Sequence, residues 1–139
     1  MSKVVYITRR ERFSAAHKLA KPEWSDEENY KAFGKCSNPN WHGHNYILWV
    51  TVKGTPEPST GFVVDLSAVG DVIKEQVIQH VDHKNLNIDV EFTKGLMTST
   101  ENLAIAVWEQ LKKPIDKLGA ELHCVKISET ENNYVEYFG

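Results

Sequence analysis

The 139-residue sequence predicts an α+β fold, an antiparallel sheet with helices packed on one face. Three observations predict it. Runs with strand composition bunch at the two ends of the chain, two stretches with helical period lie between them, and no repeat, low-complexity tract or linker divides the chain. The length sets one domain, residues 1–139, large enough to bury a core.

Taken in order, residues 4–17 are rich in β-formers and read as a strand, with Arg9, Arg10 and Arg12 demanding at least one wet or acidic face. Residues 18–34 form a polar connection with one helical turn, where Ser25 followed by Glu28 fits a capping box. Tyr46 to Lys53 is the clearest strand. Gly54 and a Pro-rich turn bound it, and Phe62 to Leu66 resumes it as the second arm of a hairpin. The period then changes: Leu66, Val69, Val72, Ile73, Val77 and Val81 mark an amphipathic helix that delivers Asp82 and His83 at its C-terminal end. A second helix opens with Thr98 as cap and Glu101 reaching back, and Pro114 ends it. Glu121–Ser128 and Tyr134–Phe138 close the chain as a hairpin.

The bulk composition excludes several classes. A net charge of -3 gives no global basic field for nucleic acid or an acidic membrane surface. Two cysteines make no disulfide framework, and no apolar run is long enough to be a signal peptide or to span a bilayer. The expectation is a reduced, cytoplasmic protein.

The chemistry concentrates in Cys36-Ser-Asn-Pro-Asn-Trp-His-Gly-His44. On an extended backbone i and i+2 share a face, so His42 and His44 point the same way and suit one Zn²⁺. His17, at the end of the first strand, is a third ligand candidate. Three histidines with no fourth protein ligand leave a coordination position open, the pattern of a catalytic rather than a structural zinc. Cys36, Asp82 and His83 suit a thiol activated by an imidazole and an acid, although a buried structural cysteine and a helix-terminal histidine are the plainer readings. Helix capping suffices for Thr100 and Glu101, and a charged hairpin for Glu129. The residues alone therefore support a zinc hydrolase or lyase.

Six motifs in order say more. Phe13-Ser-Ala-Ala-His17, Phe33-Gly-Lys-Cys-Ser-Asn-Pro-Asn40, His42-Gly-His-Asn-Tyr46, Asp82-His-Lys-Asn-Leu86, Ser99-Thr-Glu-Asn102 and Ser128-Glu-Thr-Glu-Asn-Asn133 together resemble the 6-pyruvoyl-tetrahydropterin synthase family in its animal form. The resemblance spans almost the whole chain. It implies the tunnelling fold: a four-stranded antiparallel sheet with two helices on one face, trimerising into a twelve-stranded barrel and pairing into a homohexamer with active sites between subunits. It also implies a lyase of tetrahydrobiopterin biosynthesis, converting 7,8-dihydroneopterin triphosphate to 6-pyruvoyl-tetrahydropterin and triphosphate. By the match, His17, His42 and His44 hold Zn²⁺, Cys36 is the general base, and Asp82 and His83 activate it. Glu129 anchors the pterin, and Thr100 and Glu101 line the same pocket. Mg²⁺ suits the triphosphate by its preference for phosphate oxygens. Arg9, Arg10, Lys18, Lys35 and Lys84 are the basic candidates for holding that group. Trp41 departs from the family pattern, standing where relatives often carry a small residue. The rival within the fold is 6-carboxytetrahydropterin synthase, against which the Cys36 setting and the Ser25–Glu28 insertion argue. A non-catalytic pterin-binding module is the reading from another class.

Overall fold

The computed structural model describes residues 3–139. Strand β1 (Val5–His17) pairs antiparallel with β2 (His42–Gly54) along their full lengths, from Val5 opposite Gly54 to His17 opposite His42. Strand β3 (Lys84–Asn85) adds two parallel residues beside Ala15 and Ala16 of β1. Strands β4 (Glu121–Thr130) and β5 (Asn133–Tyr137) extend the other side, giving the order β3-β1-β2-β4-β5. The sheet therefore has five strands, not the four that the resemblance implies. The addition is the two-residue β3, too short for any period to reveal.

Helix α1 (Asp26–Phe33) follows β1, with the expected capping box between Ser25 and Glu28 and a length beyond the single turn expected. Helix α2 (Leu66–Ile73) runs on through a π-helical turn, Lys74–Ile78, and a last α turn, Gln79–Val81. Helix α3 (Thr100–Lys117) precedes β4. Alternation places Phe13, Ala15 and His17 of β1 and Tyr46, Leu48, Val50 and Val52 of β2 on the face that meets the helices. They pack with Val69, Ile73 and Val77 from α2 and its continuation and with Leu103, Val107, Leu111 and Ile115 from α3. The α+β expectation holds.

Three local expectations do not. Residues 62–65 are not a strand: Val63 lies against Gly54, where an added Cβ would meet Val63 Cγ1 at 2.6 Å, and the Asp65 side chain accepts from the Ser67 N–H to cap α2. The segment is committed to a loop and a cap, which removes it from the ladder. Pro114 does not end α3, which continues to Lys117. A proline inside a helix costs about 3 kcal/mol. Burial of Leu111 and Ile115 on either side, at about 1.5–3 kcal/mol each, offsets that cost. Ser99, not Thr98, caps α3, accepting from the Asn102 N–H at 3.2 Å, while Thr98 is buried and points elsewhere. Among the described residues, no helix is long and apolar enough to cross a membrane.

Candidate metal centre and active site

The β1–β2 register builds the centre. His17 and His42 are directly opposed across the ladder and His44 is two residues further along β2, so all three imidazoles emerge on the helix-facing side. One ring nitrogen from each lies within 4.8 Å of the other two. The edge-on ring pairs, with centroids 4.5 Å apart for His17–His42 and 4.9 Å for His42–His44, keep the nitrogens converging without stacking the rings. His17 is 1% exposed. Its Nδ1–H donates to the Thr98 carbonyl at 2.7 Å, since a carbonyl only accepts. That bond puts the lone pair on Nε2 and aims it at the cluster.

Burial is the largest influence on all three rings and holds each pKa below the ordinary histidine value, with His17 further lowering His42. Neutral imidazoles are the ligating form. His17 Nε2, His44 Nε2 and both ring nitrogens of His42 are buried with no hydrogen-bond partner. Orphaned buried nitrogens are costly unless something binds them. A small cation with Zn–N distances of about 2.0–2.1 Å satisfies three at once after modest ring rotation. The residues fit a metal of that kind.

Glu129, on β4, stands just outside the ligand set. Its Oε1 is 3.4 Å from His44 Nε2 and its Oε2 3.6 Å from His17 Nε2. Because the rings are neutral, these are close approaches and not full ion pairs. The Thr100 hydroxyl donates to Glu129 Oε2 at 2.8 Å, which fixes the carboxylate from the α3 side. Phe33, Thr100, Glu101, Glu129 and Tyr134 line a cleft of about 570 Å³, within the range that takes a small heterocyclic ligand. Thr100, Glu101 and Glu129 thus share one cleft.

Asp82 and His83 lie beside β1, where the His83 N–H donates to the Ser14 carbonyl at 2.6 Å. Asp82 Oδ1 accepts from the Ser14 N–H at 2.9 Å, and Oδ2 is 3.0 Å from His83 Nδ1. The Ser14 N–H is the main reason the Asp82 carboxyl titrates below its ordinary value. His83 has φ 60 and its side chain is 81% exposed. With His44 and Lys84 it lines a second cleft of about 500 Å³. Cys36 sits on a 3-10 turn, Gly34–Ser37, half-buried. Among the described residues no hydrogen bond joins Cys36 to Asp82 or His83. Asp82 and His83 are thus paired with each other, and Cys36 stands on a separate segment with no hydrogen bond to either.

Of the basic candidates, Arg9 is held by Glu11 at 3.0 Å and lies against Gly70, whereas Lys18 sits over the Trp41 ring, 5.4 Å from its centroid. Trp41 adopts φ 67, a strained conformation for a bulky residue, immediately before His42. Sequence reasoning missed two groups. Tyr46 is 1% exposed beside His44 with an unpartnered hydroxyl, and only its place two residues beyond the His-x-His pair signalled that it faces the centre. Asn87 ties Lys18 to Thr98, and nothing in the sequence pointed to it.

A family model described as 6-pyruvoyl tetrahydropterin synthase matches residues 6–139. The chain belongs to this family. It is 47% identical over 133 residues to the 6-pyruvoyl tetrahydrobiopterin synthase of Pongo abelii, covering 96% of this chain and 90% of that one. The solved structure of the Caenorhabditis elegans 6-pyruvoyl tetrahydropterin synthase aligns with a TM-score of 0.91 at 40% identity, covering 99% of this chain and 97% of that one. The 6-carboxy-5,6,7,8-tetrahydropterin synthase of Bacillus subtilis is more distant, 30% identical over 109 residues, or 75% of this chain and 70% of that one. The synthase family thus supplies both the fold and an enzymatic character, and identity favours the pyruvoyl branch over its rival.

Proposed function

We infer that this protein is a lyase converting 7,8-dihydroneopterin triphosphate to 6-pyruvoyl-tetrahydropterin and triphosphate, in tetrahydrobiopterin synthesis. The observation that carries the reading is one His17–His42–His44 cluster, with orphaned nitrogens, next to a cleft that ends in a carboxylate. His17, His42 and His44 would hold zinc, which would supply Lewis acidity toward the oxygens of the substrate side chain.

The chain's own residues do the rest. The Glu129 carboxylate accepts paired hydrogen bonds from the 2-amino and ring N–H groups of the pterin, oriented by the Thr100 hydroxyl on Oε2. Glu101 lines the same cleft. Cys36 moves protons on the side-chain carbons as general base. His83, its Nδ1–H donating to Asp82 Oδ2, keeps Nε2 free to exchange those protons. Triphosphate leaves and the side chain tautomerises. The reduced ring and the oxidised side chain come from the same molecule, so no external oxidant enters.

Cys36 makes no hydrogen bond to the Asp82–His83 pair, which agrees with a site completed by a neighbouring subunit, within a trimeric barrel and a hexamer. The open sheet with free edges agrees with such closure. Mg²⁺ accompanies the triphosphate, and the basic candidates to hold it are Lys84, which lines the second cleft, Lys35 on the Cys36 turn and Lys18 next to His17.

The decisive experiment incubates zinc-loaded protein anaerobically with dihydroneopterin triphosphate and reads the products by mass spectrometry. A pyruvoyl-tetrahydropterin with released triphosphate is expected. A carboxylated pterin with acetaldehyde transfers the protein to the rival branch, and an unchanged substrate defeats the lyase reading.

A further inference from the structure

We propose that Asn87 is a positioning residue for the metal centre, clamping both flanks of His17 and holding it in the one tautomer that ligates. The inference rests on the histidine cluster being a metal centre. Three contacts meet on its side-chain amide. Asn87 Oδ1 accepts from the Lys18 N–H at 3.1 Å and from the Thr98 hydroxyl at 2.9 Å, and Asn87 Nδ2–H donates to the Lys18 carbonyl at 2.9 Å. Lys18 is the residue immediately after His17. Thr98 is the residue whose carbonyl accepts the His17 Nδ1–H at 2.7 Å. One amide therefore grips the chain just beyond the ligand and also grips the residue that reads the ligand's far nitrogen.

The geometry explains why an asparagine is needed. Lys18 stands beyond the end of β1, where the strand ladder no longer fixes the backbone. The paired N–H and C=O contacts from Asn87 continue the ladder by one residue through a side chain. Only a primary amide offers donor and acceptor in that fork while keeping a second lone pair for Thr98. Thr98 is 2% exposed, so its hydroxyl also needs this partner. Asn87 is itself fixed, because its backbone N–H donates to Asn85 Oδ1 at 2.9 Å and the preceding Leu86 N–H donates to the Ala16 carbonyl at 2.8 Å. The clamp is anchored to β1 at one end and opens α3 at the other. The Thr98 carbonyl is the direct partner of the His17 ring, a kind of partner that typically sets about 10–100-fold of a metal's affinity, and Asn87 acts through it.

The test uses Asn87→Ala and Thr98→Val in the full chain, the second of which keeps the Thr98 carbonyl and its shape. Zn²⁺ affinity is measured by chelator competition, the Co²⁺-substituted protein gives the ligand-field spectrum, and the His17 tautomer is read from ¹⁵N-histidine NMR without metal. Asn87→Ala is expected to bind Zn²⁺ about 10–100-fold more weakly and to mix the two His17 tautomers, and Thr98→Val to weaken binding several-fold. Asn87→Asp, which keeps both acceptor contacts, recovers part of the loss. A merely structural role lowers the melting temperature and leaves affinity, spectrum and tautomer at wild-type values, and that result overturns the proposal. Should Asn87→Ala not fold, a wild-type tautomer and affinity in Thr98→Val overturn it equally. Should the wild type itself bind no metal, the metal-centre reading fails. The metal-free tautomer measurement then still decides whether Asn87 orients His17.

Discussion

The histidine cluster and the Cys36, Asp82 and His83 groups contrast in how they are built. The first is written into a ladder: two opposed strand residues and one two positions along, His17 buried and the other two half-buried, with every pKa pushed toward the neutral form. The second stands on irregular backbone, a 3-10 turn for a half-buried Cys36 and a left-handed residue for the exposed His83, with no hydrogen bond between Cys36 and the Asp82–His83 pair. Metal binding needs nitrogens whose backbones hold them converging on one point. Proton transfer needs groups that meet the substrate only when the site is complete, and irregular segments near a sheet edge can be completed from outside.

The sharpest way to break the contrast is His42→Ala. It is expected to abolish stoichiometric zinc by elemental analysis, abolish turnover and remove zinc-dependent stabilisation, which at a thousandfold excess over Kd amounts to about 4 kcal/mol. Cys36→Ala tests the other region: zinc is retained and turnover falls by about 10²–10⁴. Assembling Cys36→Ala subunits with His83→Ala subunits then restores activity above either parent if the site is shared. Additive loss with no recovery would place both groups in one subunit. Glu129→Gln keeps an acceptor but loses the charge, so a rise in KM of about 10–100-fold with zinc unchanged is expected, read from steady-state kinetics. Asp82 gives the smallest effect. Its folded pKa lies below the unfolded value, so its stabilisation is present above about pH 4 and is lost as pH falls through the folded pKa. Asp82→Asn should erase that segment of the pH–stability curve, worth less than about 1 kcal/mol after solvent screening.

The sequence exposed the first region better than the second, for physical reasons. Period-2 alternation is local, so His42 and His44 showed their shared face directly, and β1 and the far end of β2 were legible from composition, although β2 begins at His42 and not at the expected Tyr46. The errors fell where tertiary contacts overrule local preference. Pro114 signals a helix stop, yet the buried Leu111 and Ile115 carry α3 past it. Thr98 has the chemistry of a cap, but burial and Asn87 claim its hydroxyl and leave the cap to Ser99. Phe62 to Leu66 has strand composition, while Val63 packing on Gly54 and the Asp65 cap assign it to a loop. No local period relates Cys36 on its 3-10 turn to Asp82 and His83 beyond α2, so the sequence alone carries no distance between them.

The face-to-face placement of His17 and His42 also limits how this protein can change length. Losing or gaining one residue inside β1 or β2 would turn the downstream side chains over, sending a ligand to the wrong side of the sheet. The one irregularity in the β2–β4 pairing lies at Thr51/Val52, near the end of β2 remote from the histidines. Insertions and deletions are therefore most tolerable in residues 55–61, outside the ladder, and not in residues 18–41, which carry Cys36 and the Lys18 contacts of Asn87. The two strands behave as a ruler with a fixed zero, and engineering of this scaffold should lengthen its loops and leave the ruler uncut.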